Sequence, residues 1–178
     1  KPTKPMTVSE LFGLKDNKKE EKKEVVEKEE KVSAEPTVKE EVSQLNTTTT
    51  EEISELSALV RNLSLIQESS FQIMTENENV SRHIFLLIKK LYDVTSRITV
   101  RRGYNFNKNL QYILEVRTKK NEILEDLSII ESGKMLMIPH TYIYDDFELK
   151  RAYLRGIFLS CGSINDPKKN MYHLEFLI

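Results

Sequence analysis

Residues 150–164 read KRAYLRGIFLSCGSI, and this stretch decides the fold. Together with Phe147 and Leu149 before it, Ala152, Tyr153, Ile157 and Phe158 recur at helical spacing, so the pattern predicts a helix that ends at Gly162. Within that helix Ala152 and Gly156 are small residues four apart. A glycine inside a helix costs about 1 kcal/mol relative to alanine, either simply tolerated or compensated by the close approach of a second helix. An earlier helix, from about Glu51 to Leu63, carries Ile53, Leu56, Leu59, Val60 and Leu63 on one face, with Thr50 as its cap and Glu51 and Glu52 at the positive end of the dipole. Its Ala58, beside Ser57, offers a matching small surface. Two such helices packed at the centre leave their sheets to form a concave saddle.

Between them the periodicity alternates. A short strand is expected around Leu65 and another from Ser70 to Glu76, with Phe71 and Ile73 on one face. Asn77 and Asn79 offer a stop and a cap, and Val80, Ile84, Leu87, Ile88 and Leu91 form an amphipathic helix to about Tyr92. Arg97–Arg101 and Leu110–Arg117 alternate like the arms of a hairpin across Gly103 and the Asn-rich loop Tyr104–Asn109. Ile123, Leu124, Leu127 and Ile130 predict a third helix stopped before Gly133, and Pro139–Asp145 reads as extended connection. After Gly162 a new strand, Tyr172–Ile178, begins with Tyr172, Leu174, Phe176 and Ile178 on one face. A chain that starts at Lys1 and stops inside a new sheet is expected to be a fragment of a longer reading frame, less stable than the whole.

The first 36 residues have a different texture. Residues 15–31, KDNKKEEKKEVVEKEEK, set seven Lys against seven acids with Val25 and Val26 as the only apolar residues. Two valines cannot bury a core, so residues 1–36 are expected to be a disordered charged segment, with a partner-binding helix as the alternative. A weak helix, Val38–Leu45, follows. The 178 residues as a whole carry 27 Lys plus Arg and 28 Asp plus Glu, so net charge gives no argument for nucleic acid. A single cysteine, Cys161, excludes an intrachain disulfide and a cysteine-clustered metal site. His83, His140 and His173 are too scattered to suggest metal ligation. Neither metal nor cofactor is expected. No apolar run approaches the roughly 20 residues of a membrane span, and the expected compartment is the cytoplasm.

Local charge is less balanced. Residues 82–120 hold ten Lys or Arg and two acids, Asp93 and Glu115. Strand alternation turns Ile98, Val100, Tyr112, Leu114 and Val116 toward a core, leaving Arg97, Thr99, Arg101, Gln111, Ile113, Glu115 and Arg117 outward. With Arg102, the residues Arg97, Thr99, Arg101, Gln111 and Arg117 are candidate duplex-DNA contacts, because such a face carries donors for phosphates and base edges. An ordinary solvated sheet face is the competing reading.

The segment Lys150–Ile164, continued by Asn165-Asp166-Pro167 and Tyr172-His173-Leu174-Glu175, resembles the second LAGLIDADG helix of the bacterial WhiA family. The stretch Glu55-Leu56-Ser57-Ala58-Leu59-Val60-Arg61 resembles its degenerate first copy. Thr75-Glu76-Asn77, IFLLIKKLYD at 84–93 and Ile123-Leu124-Glu125-Asp126-Leu127 also resemble that family's N-terminal region. The resemblance covers roughly residues 37–178 and implies an α+β, homing-endonuclease-like fold with three parts. These are a charged segment at 1–36, a first LAGLIDADG-like repeat at 37–133, and the truncated start of a second repeat at 146–178.

It also implies a sporulation and cell-division regulator that binds double-stranded DNA in the nucleoid, with other regulatory proteins as further partners and no membrane. Nucleases of this class hold divalent metal through an acid at the foot of each central helix, since the ions need hard oxygen ligands. The resemblance places Leu159 and Cys161 at the two acidic positions of the second copy, and Arg61 with Asn62 or Leu63 in the first. No register restores an acid, and Asp166, the nearest one downstream, is better suited to a turn or cap. Cys161 is read as a packed thiol rather than a nucleophile or redox sensor. The expectation is therefore a non-enzymatic DNA-binding scaffold in which Ala58 and Gly156 pack the helices together. The rival is a protein-interaction module whose DNA binding resides in a helix-turn-helix elsewhere.

Overall fold

The computed structural model describes residues 38–102, 110–164 and 173–177. The segment 1–36, the loop Tyr104–Asn109, Asp166 and Tyr172 lie outside them. The chain opens with a short helix α1 (Val38–Val42), followed by α2 (Thr49–Leu63), β1 (Ser64–Ile66), β2 (Phe71–Thr75), α3 (Glu78–Tyr92), β3 (Arg97–Arg102), β4 (Leu110–Val116) and α4 (Lys120–Asp126). Next come β5 (Ile130–Glu131), β6 (Lys134–Met135), a 3₁₀ turn (Thr141–Ile143), α5 (Phe147–Cys161), β7 (Gly162–Ile164) and β8 (Leu174–Phe176).

Helix starts follow local hydrogen-bond chemistry. α2 begins two residues earlier than expected because Thr48, not Thr50, is the cap. Its hydroxyl accepts from the Glu51 N–H and the Glu51 carboxylate accepts from the Thr48 N–H, a reciprocal capping box. Asn77 caps α3 and Asp146 caps α5 through their side-chain oxygens, at 3.1 and 2.8 Å. α3 ends at Asp93, which takes a left-handed conformation.

The main sheet runs β1-β2-β4-β3, antiparallel throughout. Alternation puts Phe71, Ile73, Ile98, Leu114 and Val116 on its inner face, against α2 and α3, in a core completed by Leu56, Leu59, Ile84, Ile88, Leu124 and Leu127. On the outer face Ile113 departs from expectation: it is only 6% exposed. It sits on the central strand between Met74 and Thr99, and these neighbours take it out of water.

Three further expectations are corrected. The third helix stops at Asp126 rather than Ile130, because Ser128 adopts φ 55° and drives Ile129 into the core. The chain then forms the hairpin β5–β6, whose two loop residues, Ser132 and Gly133, both have positive φ, as a type I′ turn demands. Pro139–Asp145 contains the 3₁₀ turn. Finally, the strand expected over Tyr172–Ile178 is confined, in its described part, to β8 and pairs antiparallel with β7, so it is one arm of a hairpin.

α2 and α5 are the centre of the molecule. Each spans 15 residues, from the caps Thr48 and Asp146 to Ser64 and Gly162. Asn62 Nδ2 donates to Ser160 Oγ across the pair at 3.2 Å, and these residues are 98 apart in sequence. The same offset relates Ala58 to Gly156, which also meet, and Ser54 to Ala152, both buried one turn earlier. The helices therefore cross in register about a pseudo-two-fold axis, and each leads into a short strand of a hairpin, β1–β2 or β7–β8. The contact has no slack: a Cβ on Gly156 would lie 2.4 Å from the Glu55 carbonyl oxygen and 2.8 Å from the Ala58 Cβ.

A buried ionic cluster spans the same crossing. The Glu55 carboxylate, 2% exposed, accepts from Arg155 Nε on α5 and from His83 Nε2 on α3, each at 2.7 Å. Ser54 donates to the Ile143 carbonyl, and Ser57 to that of Leu127 at 2.7 Å, fastening the 127–143 connection to α2.

Gly156→Ala tests the helix contact. Helix propensity alone favours alanine by about 1 kcal/mol, but a backbone oxygen cannot turn away, so the helices must separate at a cost of about 1–3 kcal/mol. The variant should melt below the unchanged chain in a thermal scan; a higher melting temperature would show that the crossing has room.

Candidate nucleic-acid interface

The outer face of the main sheet is built by register. Arg97 stands opposite Glu115, Thr99 opposite Ile113 and Arg101 opposite Gln111, so three residues of the edge strand β3 share one face with Gln111, Glu115 and Arg117. Arg97, Arg101 and Arg117 are exposed, whereas Thr99 and Gln111 are half-buried between them. The guanidinium of Arg117 donates to Glu115 Oε1 at 3.0 Å, which partly neutralises it. Arg97 and Arg101 make no salt bridge among the described residues. Arg102 is exposed but has the parity of Ile98 and Val100, so the sheet turns it away from the other candidates.

The feet of the central helices are the second half of the region. Leu159 is 1% exposed and belongs to the core, where an ionised carboxylate would be costly. Cys161 is half-buried and its thiol donates back to the Ile157 carbonyl at 3.2 Å, a packed thiol's environment. The helix register pairs Arg61 with Leu159 and Leu63 with Cys161, which leaves Asn62 as the partner of Ser160. Arg61 reaches the carbonyls of Leu136 and Ser128, so its charge serves the connection rather than the foot. Beside it, burial pushes the Tyr153 hydroxyl above its ordinary pKa. No group of three His, Cys, Asp or Glu residues that could hold a metal is found among the described residues.

Between the feet and the rim of the sheet lies a pocket of about 330 Å³, lined by Lys39, Leu63, Glu76, Gln111 and Ser160 among others. Gln111 belongs both to this pocket and to the sheet face. Lys39 is the residue that sequence reasoning passed over: one lysine in a weakly patterned helix carries no signal of where that helix docks. The histidines are accounted for otherwise. His83 is tied to Glu55, and His140 and His173 make surface contacts to Glu131 and Glu175. On the other flank of α5, Pro139, Tyr144, Lys150, Tyr153, Leu154 and Ile157 line a largely apolar groove of about 340 Å³. No helix among the described residues is long and apolar enough to cross a membrane.

Comparison with known proteins adds to this geometry. Residues 49–130 match the WhiA N-terminal LAGLIDADG-like domain and residues 150–178 the WhiA LAGLIDADG-like domain. A probable cell division protein WhiA of Staphylococcus saprophyticus is 41% identical over 126 residues, covering 68% of this chain and 40% of that protein. Its counterpart in Ligilactobacillus salivarius is 40% identical over the same length and coverage. The chain thus spans about 40% of the length of these relatives. Among solved structures, the N-terminal LAGLIDADG domain of a WhiA protein superposes with a TM-score of 0.54 at 22% identity, over 80% of this chain and 67% of that one. Full-length WhiA from Thermatoga maritima superposes with a TM-score of 0.55 at 24% identity, over 78% of this chain and 42% of that one. At these identities the superpositions establish the fold alone.

Proposed function

The chain belongs to the WhiA family, and on that premise we propose that it is a DNA-binding part of a cell-division and sporulation regulator, a homing-endonuclease-like scaffold that does not cut. The observation that carries the reading is the outer sheet face, where Arg97 and Arg101 flank Thr99 and stand beside Gln111 with no salt bridge among the described residues. Free guanidinium groups beside amide and hydroxyl donors suit a phosphate backbone and base edges. The expected setting is the nucleoid in the cytoplasm. The lack of catalysis is argued from the feet: Leu159, Cys161, Arg61 and Leu63 offer no carboxylate to hold divalent ions against a scissile phosphate. The apolar groove beside Tyr153 and Leu154 favours a second reading, in which this region docks other regulatory proteins.

The DNA reading is tested by salt-dependent binding to duplex. Replacing Arg97, Arg101 and Arg117 by alanine should weaken binding and flatten the slope of log K against log salt by about 0.9 per lost phosphate contact. Arg117 should contribute least because Glu115 already holds it. An unchanged slope in the triple variant would exclude this face.

The absence of catalysis has its own assay. Plasmid DNA incubated with the purified chain and Mg²⁺ or Mn²⁺ should remain uncut. Metal-dependent cleavage that co-purifies with the chain and is lost on mutating Asp166 would overturn the argument from the feet.

A further inference from the structure

Lys39 brings a charge to the helix feet from α1, ahead of the residues that match the WhiA N-terminal domain. Its Nζ donates to the Leu159 carbonyl at 3.2 Å and stands 5.8 Å from the centroid of the Phe158 ring. An ammonium therefore closes the C-terminal end of α5, where unpaired carbonyls and the negative end of the helix dipole gather. α1 is held in place by other contacts: Asn79 Nδ2 donates to Glu40 at 2.5 Å, and Val42 packs on the core. Burial lowers the pKa of Lys39 from its ordinary range, and an anion beside it would raise it again.

An ammonium has three protons, and the Leu159 carbonyl takes one. Lys39 also lines the pocket of about 330 Å³ whose other walls include Asn77, Gln111 and Ser160. Lys39 is the one cationic side chain in that lining and Glu76 the one acid, which is not free. Through Gln111, the side chain opposite Arg101, the pocket is continuous with the outer sheet face.

We propose that Lys39 binds one backbone phosphate of the duplex that lies on that face, at the mouth of the pocket between the helix feet. The inference rests on the DNA-binding reading above and extends it to a specific contact. A carboxylate foot would need a divalent ion between itself and a phosphate. A foot without carboxylates, closed by a lysine, attracts the phosphate directly and leaves it intact.

Lys39→Gln and Lys39→Arg, measured as full 178-residue chains, test the contact. Duplex affinity is followed from about 50 to about 200 mM salt, with a thermal melt of each variant. Loss of one phosphate contact should lower the salt slope of Lys39→Gln by about 0.9, so its loss of affinity over that fourfold range is about 3.5-fold smaller, while Lys39→Arg keeps the original slope. A lysine that served only to close α5 would lower the melting temperature and leave the slope untouched. That result, alongside a reduced slope in the Arg97 and Arg101 variants, overturns this proposal and leaves the DNA reading standing. No salt-dependent binding by the unchanged chain overturns both. A reading independent of folding comes from acetylating the unchanged chain with and without duplex. Duplex should protect Lys39, and equal reactivity in the two states overturns the contact.

Discussion

Where α2 and α5 cross, Gly156 lies so close to the Glu55 backbone that no side chain fits between them, and the rest of the structure is arranged around that approach. The constraint is steric at Gly156 and Ala58 and electrostatic one step away, because the Glu55 side chain takes Arg155 from α5 and His83 from α3. A buried ion pair is weak evidence for stability, but it is demanding about register. Sliding one helix past the other by a turn would strand a carboxylate that is almost wholly out of water. Close packing and charge pairing thus specify the same alignment, the one in which Asn62 meets Ser160 at the feet.

That alignment has consequences at both ends of the helices. At the N-terminal end, Ser54 holds the 3₁₀ turn that leads into α5, so the connection is anchored to the helix it must reach around. At the C-terminal end, each helix passes directly into the first strand of a hairpin, which brings the rim of the main sheet beside the feet. Leu159 and Cys161 then set the character of the α5 foot, the one buried and the other half-buried. Leu159 joins the core, and its carbonyl near the α5 terminus takes the ammonium of Lys39. The fold sets the exposed arginines of the main sheet near feet where, among the described residues, no group of His, Cys, Asp or Glu could hold a metal.

Much of this arrangement was legible in residues whose spacing carries one meaning. Ala152 and Gly156 four apart, alternation through Phe71 and Ile73, and the capping asparagine Asn77 each depend on chemistry within a few residues, and the structure bears them out. The parity of Arg97, Thr99 and Arg101 was readable for the same reason. Reading failed where distant or special backbone geometry took over. Ile130 fits a helical spacing, but Ser128 and Ser132 adopt positive φ and turn that segment into a hairpin, which nothing in serine announces. β7 was hidden because Gly162-Ser163-Ile164 is too short to alternate and gains its identity from pairing with β8. The docking of Lys39 on Leu159, 120 residues away, had no local signature. The shared 15-residue length of the central helices fixes Leu63 opposite Cys161, a register that the degenerate first copy left open.

The central claim is that α2 and α5 meet as one register-locked unit, and a double-mutant cycle on Glu55 and Arg155 tests it most directly. The variants Glu55→Ala, Arg155→Ala and the pair are compared by denaturant unfolding. Because Glu55→Ala strands the Arg155 guanidinium and Arg155→Ala leaves the Glu55 carboxylate with His83 alone, the account predicts strong non-additivity, with the double variant less destabilised than the sum of the singles by about 1–3 kcal/mol. Additivity within about 0.5 kcal/mol would mean that the two side chains do not share a buried site, and the in-register crossing would be contradicted.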